Sequence, residues 1–168
     1  MWLADEWKDY EVIDCSKGEK LERWGDYLLV RPDPQVIWDT PRNHKCWKKM
    51  NGHYHRSSKG GGEWEFFHLP EQWSIGYKGL TFNLKPFSFK HTGLFPEQAA
   101  NWDWFGARIR EAGRPVKVLN LFAYTGGATP SAFTHISPVC DGADNPMVYC
   151  IKAPSIIQPN LSFNSITI

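Results

Sequence analysis

The chain has 168 residues, 42% of them hydrophobic and 15% aromatic, with a formal net charge of +1. This length is enough for one ordinary domain or two small ones, and the apolar and aromatic content excludes a disordered chain. The near-neutral total gives no global attraction to nucleic acid or membrane, and no apolar run reaches transmembrane length.

The first residues, Met1 to Glu6, have neither the basic region nor the apolar core of a signal peptide. Cys15, Cys46, Cys140 and Cys150 are scattered without C-x-x-C pairing, which fits reduced thiols and a cytoplasmic location. The total charge hides an uneven distribution. Residues 1–39 carry ten acids and five bases, whereas residues 40–62 carry six bases (Arg42, Lys45, Lys48, Lys49, Arg56, Lys59) and no acid.

In chain order, Tyr27 to Arg31 is a short apolar strand closed by Pro32 and Pro34. Within the basic stretch 40–62, Trp47 and Tyr54 interleave the positive side chains, a pattern suited to RNA phosphates and stacked bases or to a solvated loop. Ser57 to Gly62, SSKGGG, fits a phosphate cradle or a flexible hairpin loop equally well. His44, Cys46, His53 and His55 lack the two-residue ligand gaps of structural zinc sites and lie among six bases, so no metal is expected.

Trp64–His68 and Trp73–Tyr77 are strand candidates. Leu80, Phe82 and Leu84 alternate with polar residues at the period of a half-buried strand, and Lys78-Gly79 marks a tight hairpin turn before them. From Pro96 the period becomes helical. Gln98, Trp102, Phe105, Ile109 and Ala112 share a face, with Pro96 suited to the first position and Gly113 to the C-terminal cap.

Val116 to Thr129, VKVLNLFAYTGGAT, then reads as a buried strand breaking into a glycine turn. Such a turn lets backbone N–H groups approach a carboxylate or phosphate, and a following helix N-terminus would add partial positive charge. A Lys-Ser/Thr pair after the glycines and a G-x-G-x-x-G pattern are both absent, so neither a P-loop nor a dinucleotide fingerprint fits. Glycines placed for sharp packing are the lesser alternative on turn chemistry alone.

The surroundings of the turn carry more. VLNLFAYTGGAT, together with SFKHTGLFPEQAANWDW (residues 88–104), resembles class I S-adenosylmethionine-dependent methyltransferases of the bacterial family related to the large-subunit rRNA 5-methylcytosine enzymes. The resemblance extends to DYEVIDCSKGEKLERWGDYLLVRPDPQVIW and YHRSSKGGGEWEFFHLPEQW, spanning roughly residues 7–38 and 54–129. It implies S-adenosyl-L-methionine as cofactor and an RNA base as substrate. It further implies that the turn, Phe122, Ala123, Tyr124, Thr125, Gly126 and Gly127, wraps the methionine part of the cofactor. Thr92, Phe95, Glu97 and Gln98 would close over the same pocket. The chemistry agrees, since turn N–H groups suit the cofactor carboxylate, while aromatic faces (Phe95, Phe122, Tyr124) and the Glu97 anion suit its sulfonium. Phe95 and Phe122 also fit a purely structural core role.

Beyond Pro130 the chain departs from the family. The last 39 residues hold three charges, and prolines at 130, 138, 146, 154 and 159 interrupt any long helix. An Ala-rich helix and a strand ending in a ribose-binding acid are expected there. Instead Pro130 to Pro138 allows one helical turn with Pro130 first, Asp141 and Asp144 lack a convincing strand, and Met147-Val148 resembles the start of a later helix. Asp144-Asn145-Pro146 reads as an Asx-Pro turn. None of the four cysteines matches the family's catalytic thiol, so no catalytic residue is assigned, and His91 reads as structural.

The expected fold is therefore α/β: a β-rich N-terminal domain (1–95), the first strand-turn-helix of an incomplete Rossmann-like methyltransferase domain (96–129), and a divergent tail (130–168) that is irregular, protease-sensitive and read as a truncated or frameshifted end. The expected function is methylation of an RNA base, in an incomplete form. The alternative is a non-catalytic RNA-binding fragment using the β-rich domain and stretch 40–62, with Lys45, Lys48, Lys49, Arg56 and Lys59 on the phosphates.

Overall fold

Tyr10–Ser16 (β1), Glu19–Trp24 (β2) and Tyr27–Pro32 (β3) form an antiparallel meander. The computed structural model describes residues 3–114, 116, 118–120, 127–133, 148–150 and 166–167. By backbone contacts the chain forms two compact units, one of Glu6–Gly93 and the other of Leu94–Ile166 with the first five residues.

In the first unit, the meander is extended by Gly52–Arg56 (β4), which pairs parallel to β3, and by Gly62–Phe66 (β5), antiparallel to β4. The sheet order is β1-β2-β3-β4-β5. A parallel neighbour needs a crossover, and residues 33–51 supply it. The crossover is pinned to the β1–β2 end, where the Ser16 hydroxyl donates to the Thr40 carbonyl at 2.5 Å and the Trp38 indole N–H to the Cys15 carbonyl at 2.8 Å.

The two sheet faces differ. Leu21 and Val30 face each other in register and are covered by Trp47, which a 3-10 turn at Lys45–Lys48 delivers. The Trp47 indole N–H donates to Asp14 Oδ2 at 2.7 Å, and the Arg42 guanidinium lies 4.3 Å over its ring. The opposite face carries Glu22, Trp24, Tyr27, Leu29 and Arg31. A hairpin of Trp73–Tyr77 (β6) and Leu80–Leu84 (β7) covers it, with Trp73 edge-on to Tyr27 and Trp7 tilted on Tyr77 at 4.5 Å. Burying so many aromatics gives this small unit its apolar payload, each ring removing well over ~150 Å² from water.

One charged group sits inside that face. Glu22 is fully buried and receives both arms of Arg31, Nε at 2.6 Å and Nη2 at 2.8 Å, with the Tyr10 hydroxyl at 2.7 Å. Burial alone would raise the Glu22 carboxyl, but Arg31, then Lys20 and Tyr10, outweigh it and hold the group below its ordinary value. Arg31 also donates through Nη1 to the Lys90 carbonyl at 3.1 Å, so the ion pair ties segment 85–93 to the sheet.

The β6–β7 turn is as expected. Lys78 and Gly79 have φ of 44° and 84°, the left-handed pair that a two-residue hairpin demands. Strand β5 lies two residues earlier than the sequence pattern places it. Its register with β4 ends at Gly52↔Phe66, and His68 turns the chain away at a φ of 62°. SSKGGG is the β4–β5 hairpin loop, closed by the Ser57 N–H on the Gly61 carbonyl at 3.1 Å. A Cβ on Gly62 would overlap the His55 carbonyl oxygen, so packing alone explains that glycine.

In the second unit, Pro96–Gln98 is a 3-10 turn leading into Ala99–Glu111 (α1), and Gly113 follows at a φ of 59°. Ala99, Trp102 and Gly106 are buried, whereas Gln98 and Ala112, expected on the inner face, are exposed. Val118–Asn120 (β8) pairs parallel to Val148–Cys150 (β9), with Ala128–Phe133 (α2) between them in sequence. In the tail, Val148 begins a strand, not a helix, because it pairs with Val118, and the helical turn allowed after Pro130 is present as the end of α2. Pro130 is the third residue of α2, not the first. It is tolerated because N–H groups of the first turn have no intrahelical acceptor to lose.

Candidate functional site

The described part of the glycine turn begins at Gly127. A Cβ there would stand 3.2 Å from Trp102 Cζ2 and 3.5 Å from Leu94 Cδ1, so the glycine lets α2 start against the indole of α1. The Ser131 hydroxyl donates back to the Gly127 carbonyl at 2.9 Å and is buried. Gly127 thus has a packing role in its own right. Phe122, Ala123, Tyr124, Thr125 and Gly126, like Cys140, Asp141, Asp144 and Asn145, lie outside the described residues.

Segment 92–98 supplies the other expected contacts. Phe95 is half-buried where the chain enters the 3-10 turn, and the Glu97 and Gln98 side chains are exposed on that turn. Gln98 Oε1 accepts from Asn101 Nδ2 at 2.8 Å, which leaves the Glu97 carboxylate as the anion this turn offers. Thr92 differs from all of these. Its side chain is fully buried and its Oγ1 has no hydrogen-bond partner among the described residues. A buried hydroxyl without a partner costs roughly 1–3 kcal/mol, so the fold tolerates it or a ligand uses it. The exposed Glu97 carboxylate offers a charge opposite to that of the amino or sulfonium group of the expected cofactor.

His91 sits beside this segment, edge-on to Phe89 at 5.4 Å. Burial, then the positive charges of Arg31, Lys90 and Lys20, hold its imidazole below the ordinary value.

In the basic stretch, Lys45, Lys48, Lys49, Arg56 and Lys59 are all exposed, on the 3-10 turn, the end of β4 and the hairpin loop. The aromatic half of the expectation is corrected. Trp47 is 7% and Tyr54 3% exposed, both committed to the core, so neither can stack on a base. Arg42 is also engaged, bonding Glu19 Oε2 at 2.7 Å. The rings that do reach solvent were hidden in the sequence. Trp64 stacks parallel to Phe66 at 6.0 Å and Phe87 to Phe89 at 5.4 Å, and the Trp64 indole N–H joins the pairs by donating to the Phe89 carbonyl at 3.1 Å. Phe66 is 53% and Phe89 42% exposed. A strand alternating Glu63, Trp64, Glu65 and Phe66 signals two unlike faces, but only the fold shows that the aromatic one is covered at Tyr54 and open at Phe66.

The histidines regroup as well. His44 caps the 3-10 turn through Nδ1, accepting from the Cys46 N–H at 3.3 Å, while His53 and His55 gather with Glu65. Among the described residues, no helix is long and apolar enough to cross a membrane.

The architecture so far is a mixed α/β chain with a β-rich sheet unit followed by a helix and a parallel strand pair. That is also the architecture of known S-adenosylmethionine-dependent methyltransferases. Over 77% of its length the chain is similar to the SAM-dependent methyltransferase from Agrobacterium tumefaciens, at 37% sequence identity and a TM-score of 0.71. A protein from Streptococcus mutans assigned as a SAM-dependent methyltransferase shares the fold over 78% of this chain, at 18% identity and a TM-score of 0.53. The chain spans 42% and 37% of the lengths of these two relatives. No family model and no curated protein matches it.

Proposed function

We propose that the chain serves S-adenosylmethionine-dependent methyl transfer to a base in structured RNA. The observation that carries the first half is the 37% identity, at a TM-score of 0.71, to the Agrobacterium SAM-dependent methyltransferase. The cofactor supplies an electrophilic methyl on a sulfonium. In this reading the strand β8, the turn after it and α2 are the start of a Rossmann-like cofactor domain.

The residues that would hold the cofactor are Thr92, Phe95, Glu97 and Gln98 with the turn Phe122, Ala123, Tyr124, Thr125, Gly126 and Gly127. The Thr92 hydroxyl is buried and has no hydrogen-bond partner among the described residues, so it can donate to a carboxylate. Glu97 offers a charge opposite to that of a sulfonium or ammonium, and the half-buried ring of Phe95 an aromatic face. Titration calorimetry with S-adenosylhomocysteine tests this half, because the product needs no RNA. Wild type should bind, and Glu97→Gln, at an exposed position that leaves the fold intact, should weaken binding several-fold. Binding equal in the two removes Glu97 from the site, and no binding by wild type removes the cofactor reading from this polypeptide.

RNA as substrate is supported by the exposed bases Lys45, Lys48, Lys49, Arg56 and Lys59 together with the open ring pairs at Phe66 and Phe89. Phosphates would meet the bases and unpaired nucleobases the rings. Filter binding to structured RNA across a salt series tests it. Each phosphate neutralised contributes about −0.7 to −0.9 to the slope of log K against log salt. Replacing Lys45, Lys48, Lys49 and Arg56 by Ala should flatten that slope, and an unchanged slope would place the RNA elsewhere.

A further inference from the structure

We infer that His53, His55 and Glu65 bind a divalent transition-metal ion of the zinc type on the β4–β5 hairpin. The three side chains come together for reasons of strand geometry. His53 and His55 are two residues apart on β4 and so project from the same face, with ring centroids 4.0 Å apart. Glu65 lies directly opposite His53 in the β4–β5 register, and its Oε2 stands 2.9 Å from His55 Nε2. One ligand atom from each residue lies within 4.8 Å of the other two. Bonds of roughly 2.0–2.2 Å to a tetrahedral ion place ligand atoms about 3.4 Å apart, so side-chain rotation without backbone movement closes the site.

The surroundings favour the same assignment. His53 Nε2 is 2.6 Å from Glu19 Oε1, and Glu19 is fixed in turn by Arg42 at 2.7 Å. A carboxylate that takes one ring N–H of a histidine leaves the lone pair on the other nitrogen and orients the ring, the usual outer support of a ligating imidazole. Two neutral imidazoles and one carboxylate leave the ion with net positive charge and open positions for water. The half-exposed His55 and Glu65 side chains, at 46% and 53%, give it a way in. A nitrogen-rich set of this kind prefers zinc and its neighbours to magnesium or calcium.

The ion would replace the His55–Glu65 contact with a bond to both strands, clamping the hairpin. The test uses the full chain, stripped with chelator and dialysed into non-coordinating buffer. Zinc chloride titrated calorimetrically should bind with one equivalent per chain and raise Tm. Cobalt(II) should give visible d–d bands of a low-coordinate site. His55→Gln and Glu65→Gln, both at half-exposed positions where folding can be checked by circular dichroism, should each weaken zinc binding at least 10-fold and bleach the cobalt bands. A His44→Ala, Cys46→Ser double variant should bind as wild type does. No binding by wild type overturns the inference, as does binding that survives both hairpin substitutions or is lost in the His44, Cys46 variant.

Discussion

Replacing Thr92 by Val should move folding and binding in opposite directions. The two side chains have the same branched shape, and the position is fully buried, so the change swaps a hydroxyl with no partner among the described residues for a methyl without opening a cavity. Removing a buried unsatisfied polar group is worth roughly 1–3 kcal/mol, and the slightly larger methyl gives some of that back, leaving a net gain of about 1 kcal/mol. In a domain of this size that raises Tm by roughly 2–8 °C. If the hydroxyl donates to the carboxylate of the cofactor, the bond it loses is charge-assisted and worth about 1.5–3 kcal/mol, a roughly 10- to 150-fold rise in Kd. Thermal scans with and without S-adenosylhomocysteine read both effects. The ligand at 100 times Kd stabilises wild type by about 2.7 kcal/mol, and at the same concentration the more stable Val variant gains far less. An apo Tm below wild type would show that the hydroxyl is satisfied within the fold, and an unchanged Kd would remove it from cofactor contact.

Three further outcomes follow from the packing. Arg31→Met leaves Glu22 buried without its guanidinium and should cost about 3–5 kcal/mol in urea unfolding, whereas a loss under 1 kcal/mol would mean the carboxylate finds water. Gly127→Val pushes side-chain atoms into Trp102 and Leu94 and should cost roughly 1–3 kcal/mol, with red-shifted or broadened tryptophan emission; a neutral result would free the glycine from its packing role. Acid should weaken the fold in two windows. His91 is held below its ordinary 6.5, so the unfolded chain takes up that proton first and stability falls as pH drops below about 6.5. Glu22 and Glu19 are held below 4.5, so their contribution is complete above that value and lost as pH falls through their folded pKa values. A flat pH–stability curve from 7 to 3 would contradict both assignments.

What could be read in advance divides along local and tertiary lines. The β6–β7 hairpin was legible because alternation and a Lys-Gly turn are local signals, and β3 because an apolar run bounded by prolines is another. Strands β1 and β2 were not, since EVIDCS and EKLERW look like solvated charge until Arg31, on the neighbouring strand β3, neutralises Glu22. The helix after Pro96 was legible, and so was the middle of its inner face, where Trp102 is buried and Phe105 and Ile109 half-buried; its ends were not, because Gln98 belongs to the 3-10 turn and Ala112 caps α1, and both are exposed. At the candidate site, Thr92, Phe95, Glu97 and Gln98 came from motif likeness, while the burial of the Thr92 hydroxyl without a partner among the described residues is a property of packing that no pattern displays. Trp47 and Tyr54 show the converse limit. A tryptophan among lysines looks like a nucleic-acid contact, yet Asp14 and Arg42 hold Trp47 in the core.

The parallel junction between β3 and β4 rests on two register pairs, Leu29↔Gly52 and Val30↔His53, with the Asn51 N–H reaching the Leu28 carbonyl at 2.7 Å and Asn51 Oδ1 accepting from the Leu28 N–H at 2.9 Å. On either side the antiparallel ladders are far longer. The five strands therefore behave as a meander and a hairpin joined at a seam, and the seam is where the unit parts first. Amide protons of Leu28 and Asn51 should exchange through sub-global opening at rates shared by the hairpin, ahead of the β2–β3 ladder. Whatever binds across that seam acts on the cooperativity of the unit as a whole, because it fuses two foldons into one.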